Sequence, residues 1–218
     1  MENELSKRIL SSIALIPIAL FFIIKGSFLF IFFISVCFCI VVYEWHMMRK
    51  KKSYYILGFL FLIFSFTTIY QLRFFYHING DGYFWVLTIT IICVATDIGG
   101  YTFGKLFKGP KLTKISPNKT YAGMFGGFLV AIIAYSIFVE NLDGIKFSNF
   151  SKIKTFDIIY VIIVSFISQM GDLTISYFKR KSNIKNTGKI IPGHGGLLDR
   201  IDGMIFAFPF TYLLIKII

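Results

Sequence analysis

Long apolar stretches alternate with short polar ones along the whole chain, and the apolar stretches have the length of membrane helices. A hydrocarbon layer about 30 Å thick takes about 20 apolar residues per helical crossing. Read this way, the pattern predicts seven spans: 9–24, with Pro17 as an expected kink, then 28–48, 54–72, 83–104, 123–139, 156–178 and a short last one at 203–218. Lys7 and Arg8 ahead of the first stretch imitate a signal peptide. That stretch is long for one and no small-residue cleavage site follows, so it is read as a retained span. With no internal repeat and no soluble domain, residues 1–218 read as a single transmembrane domain: an all-α, polytopic helical bundle.

Composition agrees. The chain is 56% hydrophobic with 27 phenylalanines, more than one soluble core of this size would absorb. A net charge of +12 first suggests nucleic acid. The cations, however, lie in the connectors. With the N-terminus inside, the inner segments hold Lys7, Arg8, Arg49 to Lys52, Lys105, Lys108, Lys111, Lys114, Lys119, Lys179, Arg180, Lys181, Lys185, Lys189 and Arg200. The outer ones hold only Lys25, Arg73, Lys146, Lys152, Lys154 and Lys216. This asymmetry argues for an N-in, C-out topology, with the charge serving orientation and contact with membrane phospholipids, not nucleic acid. Cys37, Cys39 and Cys93 all lie in apolar runs and read as small hydrophobes, not disulfides or metal ligands.

The chemistry concentrates between Asp97 and Asp202, a region that the topology places at the cytoplasmic face. Asp172 lies inside an apolar span, where a carboxylate is costly and marks function by default. Asp172, Ser176 and Lys179 share a helical face, and a purely structural ion pair of Asp172 with a lysine a turn or two on is the plain alternative. Asp199 and Asp202 follow the Pro192 to Gly196 turn and fall on one side of a helix start, where acidic caps are also ordinary. His194 suits a general acid, a phosphate donor or a simple turn residue. Asp97 with Gly99 and Gly100 suits a catalytic carboxylate or a helix-packing device. Ser116, Lys119 and Thr120 before Gly123 suit a phosphate grip or an N-cap with inside charges. Asn118 opens a glycosylation sequon, discounted because its loop is expected in the cytoplasm. Carboxylates for a hard cation, cations for phosphates and glycines for close approach together suit phosphoryl or nucleotidyl transfer.

In order and spacing, Ser176, Lys179, Arg180, Lys185, Pro192, Gly193, His194, Gly195, Gly196, Asp199, Arg200 and Asp202 resemble the signature of the phosphatidate cytidylyltransferase (CDP-diacylglycerol synthase) family. Gly171 to Leu173, the Ser116 to Thr120 segment and Asp97 are similar to further family elements. Three positions depart from the family pattern: Asn186 stands for Asp, and Ala122 and Ile175 stand for Glu.

The resemblance implies transfer of CMP from CTP to phosphatidate, giving CDP-diacylglycerol and pyrophosphate in a bacterial inner membrane. It implies Mg²⁺ on Asp172 and Asp199, with a second cation allowed for and help from Asp202. Lys179, Arg180 and Arg200 would neutralise phosphates; Ser116, Lys119, Thr120 and Ser176 would bind substrate; His194 would orient or protonate. A homodimer is left open. The alternatives are a CTP-dependent transferase or kinase acting on another lipid alcohol, separated by its product, and a non-catalytic lipid-binding or transporter-like protein. The latter would carry polar residues along a path through the spans, not at one face.

Overall fold

The computed structural model describes residues 17–48, 52–75, 83–113, 115–142, 155–188, 190 and 195–217. His194 and Lys189 lie outside the described residues, as do the two cations expected to flank the first span. The described chain is helical: α1 (17–25), α2 (Ser27–Met47), α3 (Lys52–Phe74), α4 (Phe84–Phe107), α5 (Tyr121–Leu142), α6 (Thr155–Lys181), α7 (Leu198–Ile201) and α8 (Met204–Ile217).

Five of these, α2 to α6, are long and apolar enough to cross a membrane, at the positions expected from the pattern to within a few residues. This makes the chain an all-α polytopic membrane protein. The last span is built differently from the expectation. After the single turn of α7, the chain bends at residues 202–203 and enters a helix of 14 residues, Met204–Ile217. At 1.5 Å per residue α8 is about 21 Å long, shorter than a hydrocarbon layer. Asp202, two residues before its start, is buried.

Local chemistry explains the connections. Gly26 joins α1 to α2 with φ 64, a left-handed conformation that glycine adopts without strain. The buried Arg73 of α3 covers this turn, donating from Nε to the Ile23 carbonyl at 3.1 Å and so satisfying an end of α1 that has no helical partner. Between α4 and α5 the chain forms a small hairpin. Leu112 N donates to Lys119 O at 2.8 Å, and Lys119 N donates to Ser116 O at 3.1 Å, closing a turn with Pro117 at its second position. Thr120 Oγ1 then accepts from Gly123 N at 3.1 Å and caps α5.

The helices pack through small residues. A Cβ on Gly123 would lie 2.6 Å from the Gly100 carbonyl oxygen, and one on Gly99 would strike the Gly126 backbone, so α4 and α5 touch main chain to main chain. Asp97 precedes this seam, and its glycines do act as the packing device. α8 is enclosed by α3, α4 and α6. Ser65 Oγ donates to Ile205 O at 2.8 Å, and a Cβ on Gly171 of α6 would meet Asp202 O at 2.8 Å. The three cysteines are free, as expected.

Candidate active site

Contacts gather the ends of α2 and α6, the starts of α5 and α8, and α7 at one end of the bundle. Asp172 is nine residues before the last residue of α6 and Asp97 ten before the last of α4. With 1.5 Å of rise per residue, each lies about 14 Å along its helix from that end. Asp172 Oδ1 accepts from Ser176 Oγ at 3.2 Å, one turn on, as their shared face requires. Oδ2 is paired with Lys119 Nζ, which reaches in from the hairpin before α5. The plain alternative of a pair with a lysine on its own helix is therefore not what forms: Lys179 goes to Asp199 instead, Nζ to Oδ1 at 2.8 Å.

Asp202, buried at 6% exposure, shares a hydrogen bond with the Asp172 carboxyl. Burial first, and then the neighbouring Asp172 charge, push the Asp202 carboxyl well above the usual carboxylate range. Lys179 lies within electrostatic reach of both carboxyls, and Asp97 within reach of Asp172, Lys119 and Arg200. Three carboxyls and three cations therefore interleave in one place.

Asp199 and Asp202 do not act as a side-by-side pair. Asp199 Oδ2 accepts from Thr187 N at 2.8 Å and Gly196 N at 3.1 Å, while Oδ1 holds Lys179, so its carboxylate ties the chain on either side of residues 188–195 to α6. Ser116 closes the hairpin turn, and Thr120 is taken up as a cap. Arg180 and Arg200 are exposed, Arg200 within reach of Asp97. Asn186 is exposed and lies against Gly195. An open recess of about 480 Å³ is lined by Lys111, Leu112, Thr113 and Pro117 of the hairpin, and none of the carboxylates lines it.

Sequence reasoning missed Glu44, near the end of the second apolar stretch. It is 1% exposed. Its Oε1 accepts from Leu197 N at 2.9 Å, and its Oε2 from Leu198 N and Thr187 Oγ1, each at 2.8 Å. A carboxylate in an apolar run four residues before Met48 was the signal available.

Among the described residues no three His, Cys, Asp or Glu side chains converge to encage a metal. The Asp172–Asp202 pair nevertheless fits Mg²⁺, which keeps several waters and needs only one or two carboxylates beside substrate phosphates.

Residues 53–218 match the cytidylyltransferase family. Phosphatidate cytidylyltransferase of Rickettsia felis is 35% identical over 223 residues, covering 98% of this chain and 93% of that protein. The enzymes of the same name from Haemophilus influenzae and Staphylococcus haemolyticus are 38% and 36% identical over 68% and 65% of this chain. The chain spans about half of their length, 54% and 53%.

Proposed function

The chain belongs to the cytidylyltransferase family, and from that membership and its buried site we propose that it is a phosphatidate cytidylyltransferase, a CTP-dependent nucleotidyltransferase of phospholipid biosynthesis. A phosphatidate oxygen attacks the α-phosphorus of CTP, and the bond to the leaving pyrophosphate breaks. That oxygen is largely ionised near neutral pH, with a second pKa of about 6 for such monoesters, so little general-base help is needed.

The observation that carries the reading is the interleaving of acidic and basic groups around Asp172. Lys119 and Lys179 each neutralise a carboxylate and are placed to turn to phosphate oxygens when substrate arrives. Asp172, with Asp202 beside it, would hold Mg²⁺, and so would Asp199 once Lys179 has turned away. When bound, the ion would supply charge stabilisation at the α-phosphate and the pyrophosphate. Arg200 and Arg180 add exposed positive charge for the triphosphate and the lipid headgroup, and Ser176 orients Asp172. The site would face the cytoplasm of a bacterial inner membrane, where CTP and phosphatidate meet.

Purified, detergent-solubilised protein incubated with labelled CTP, phosphatidate and Mg²⁺ should form CDP-diacylglycerol and pyrophosphate, and EDTA should stop it. Asp172→Asn should lower turnover by about 10³-fold or more while the protein stays folded. Turnover in that variant close to wild type would remove Asp172 from the chemistry.

A further inference from the structure

We propose that Glu44, on α2 and ahead of residues 53–218, is a positioning residue for the reaction: it fixes the backbone that aims Asp199, Arg200 and Asp202. The inference rests on the function proposed above.

Two features separate this contact from ordinary helix packing. First, both oxygens of a fully buried side chain are used, and all three donors come from one site segment: the Thr187 hydroxyl and the backbone N–H groups of Leu197 and Leu198. The last two open α7, whose second residue is Asp199. Second, the segment is shaped to admit the side chain. A Cβ on Gly188 would lie 2.7 Å from Glu44 Oε1, and one on Gly196 would lie 2.6 Å from Glu44 Cδ. Glu44 thus accounts for the glycine at 188, and Glu44 together with the Thr187 hydroxyl for the glycine at 196.

Thr187 links the two carboxylates of the segment. Its hydroxyl donates to Glu44 and its N–H to Asp199. Gly196 and Leu197, adjacent in sequence, divide their N–H groups in the same way. Glu44 and Asp199 therefore hold both described ends of residues 188–195, Glu44 from α2 and Asp199 through Lys179 of α6. Ser182 Oγ, donating to Met48 O at 2.6 Å, seals α2 against α6 alongside. A shift of Glu44 would be passed to Asp199 and, one turn on, to Asp202 beside Asp172.

The test uses the full chain in phospholipid vesicles with Glu44→Gln, which keeps the shape but turns an amide NH₂ toward N–H donors, and Glu44→Asp, which keeps the charge but withdraws it. Arg73→Met is the control, removing a buried polar group far along the chain from the site. The readouts are kcat and KM for CTP and phosphatidate per folded protein, melting temperature, and hydrogen exchange at Leu197 and Leu198. Glu44→Gln should lower kcat about ten-fold or more with KM for CTP changed less than about three-fold, and should speed exchange at those two amides. Arg73→Met should lower the melting temperature and leave kcat alone. Wild-type kcat in Glu44→Gln, or a kcat loss in Arg73→Met as large as that in Glu44→Gln at a matching fall in melting temperature, would overturn the proposal. If wild-type protein forms no CDP-lipid, the function fails and the exchange still decides: unchanged protection at Leu197 and Leu198 in Glu44→Gln refutes the anchoring.

Discussion

Gly123→Ala tests whether the main-chain contact between α4 and α5 sets the geometry of the site. The added Cβ would lie 2.6 Å from Gly100 O, and ordinary contact begins at about 3.4 Å, so the two helices must part by about 0.8 Å. Overpacking of this kind costs about 1–3 kcal/mol, and replacing a helical glycine by alanine returns about 1 kcal/mol, leaving a net loss of about 0–2 kcal/mol. Activity should suffer more. Lys119 lies four residues before Gly123, and Asp97 three before Gly100, so the separation moves both against Asp172. Catalytic groups tolerate about 0.5 Å, and a displacement near 1 Å costs about 10²-fold. The expected kcat loss is about 10- to 100-fold with protein still inserted and folded. Gly100→Ala is the internal control. Its Cβ would have 3.7 Å to the nearest atom, so it should keep normal turnover and melt slightly higher. CDP-lipid formation from labelled CTP, normalised to folded protein, measures both. Equal turnover in the two variants would refute the reasoning.

Thr120→Ala should cost about 1 kcal/mol of stability, the worth of a helix cap, and leave KM for CTP within about two-fold; a large rise in KM would give the hydroxyl a phosphate to hold. Asp202 makes stability depend on pH. Its carboxyl is raised in the fold above an unfolded value near 3.9, so its contribution is fully present below about pH 4 and is lost as pH rises through the folded value. Metal-free protein in EDTA should melt at progressively lower temperature over that rise, and Asp202→Asn, which imitates the protonated form, should flatten the slope. An unchanged slope in that variant would place the titrating group elsewhere.

Spans α2 to α6 were legible because each carries its own signal, a run of apolar residues longer than about 18. The same holds for Asp172 with Ser176, one turn apart on one helix. α8 was harder: its boundary depends on the bend at Asp202 and on burial among α3, α4 and α6, neither of which is local. Asp199 and Asp202 looked alike at a spacing of three, and only the tertiary donors Thr187 and Gly196 separate them. Lys179 was assigned to the right face but its partner was not foreseeable, since Lys119 arrives from the hairpin before α5. Glu44 was the extreme case, because its partners lie 143 to 154 residues away.

That separation also orders the making of the protein. Chains grow at about 5–20 residues per second, so Glu44 leaves the ribosome about 7–30 s before the residues that will bond to it. A carboxylate in an apolar helix must meanwhile find water, and its place near the end of α2 lets it do so at the membrane surface. The helix that carries Glu44 is thus held short of its final environment until residues 187 to 198 have been synthesised. Completion of the site therefore waits for a distant stretch of chain, and a chain that stops before Thr187 leaves α2 with an unanswered charge.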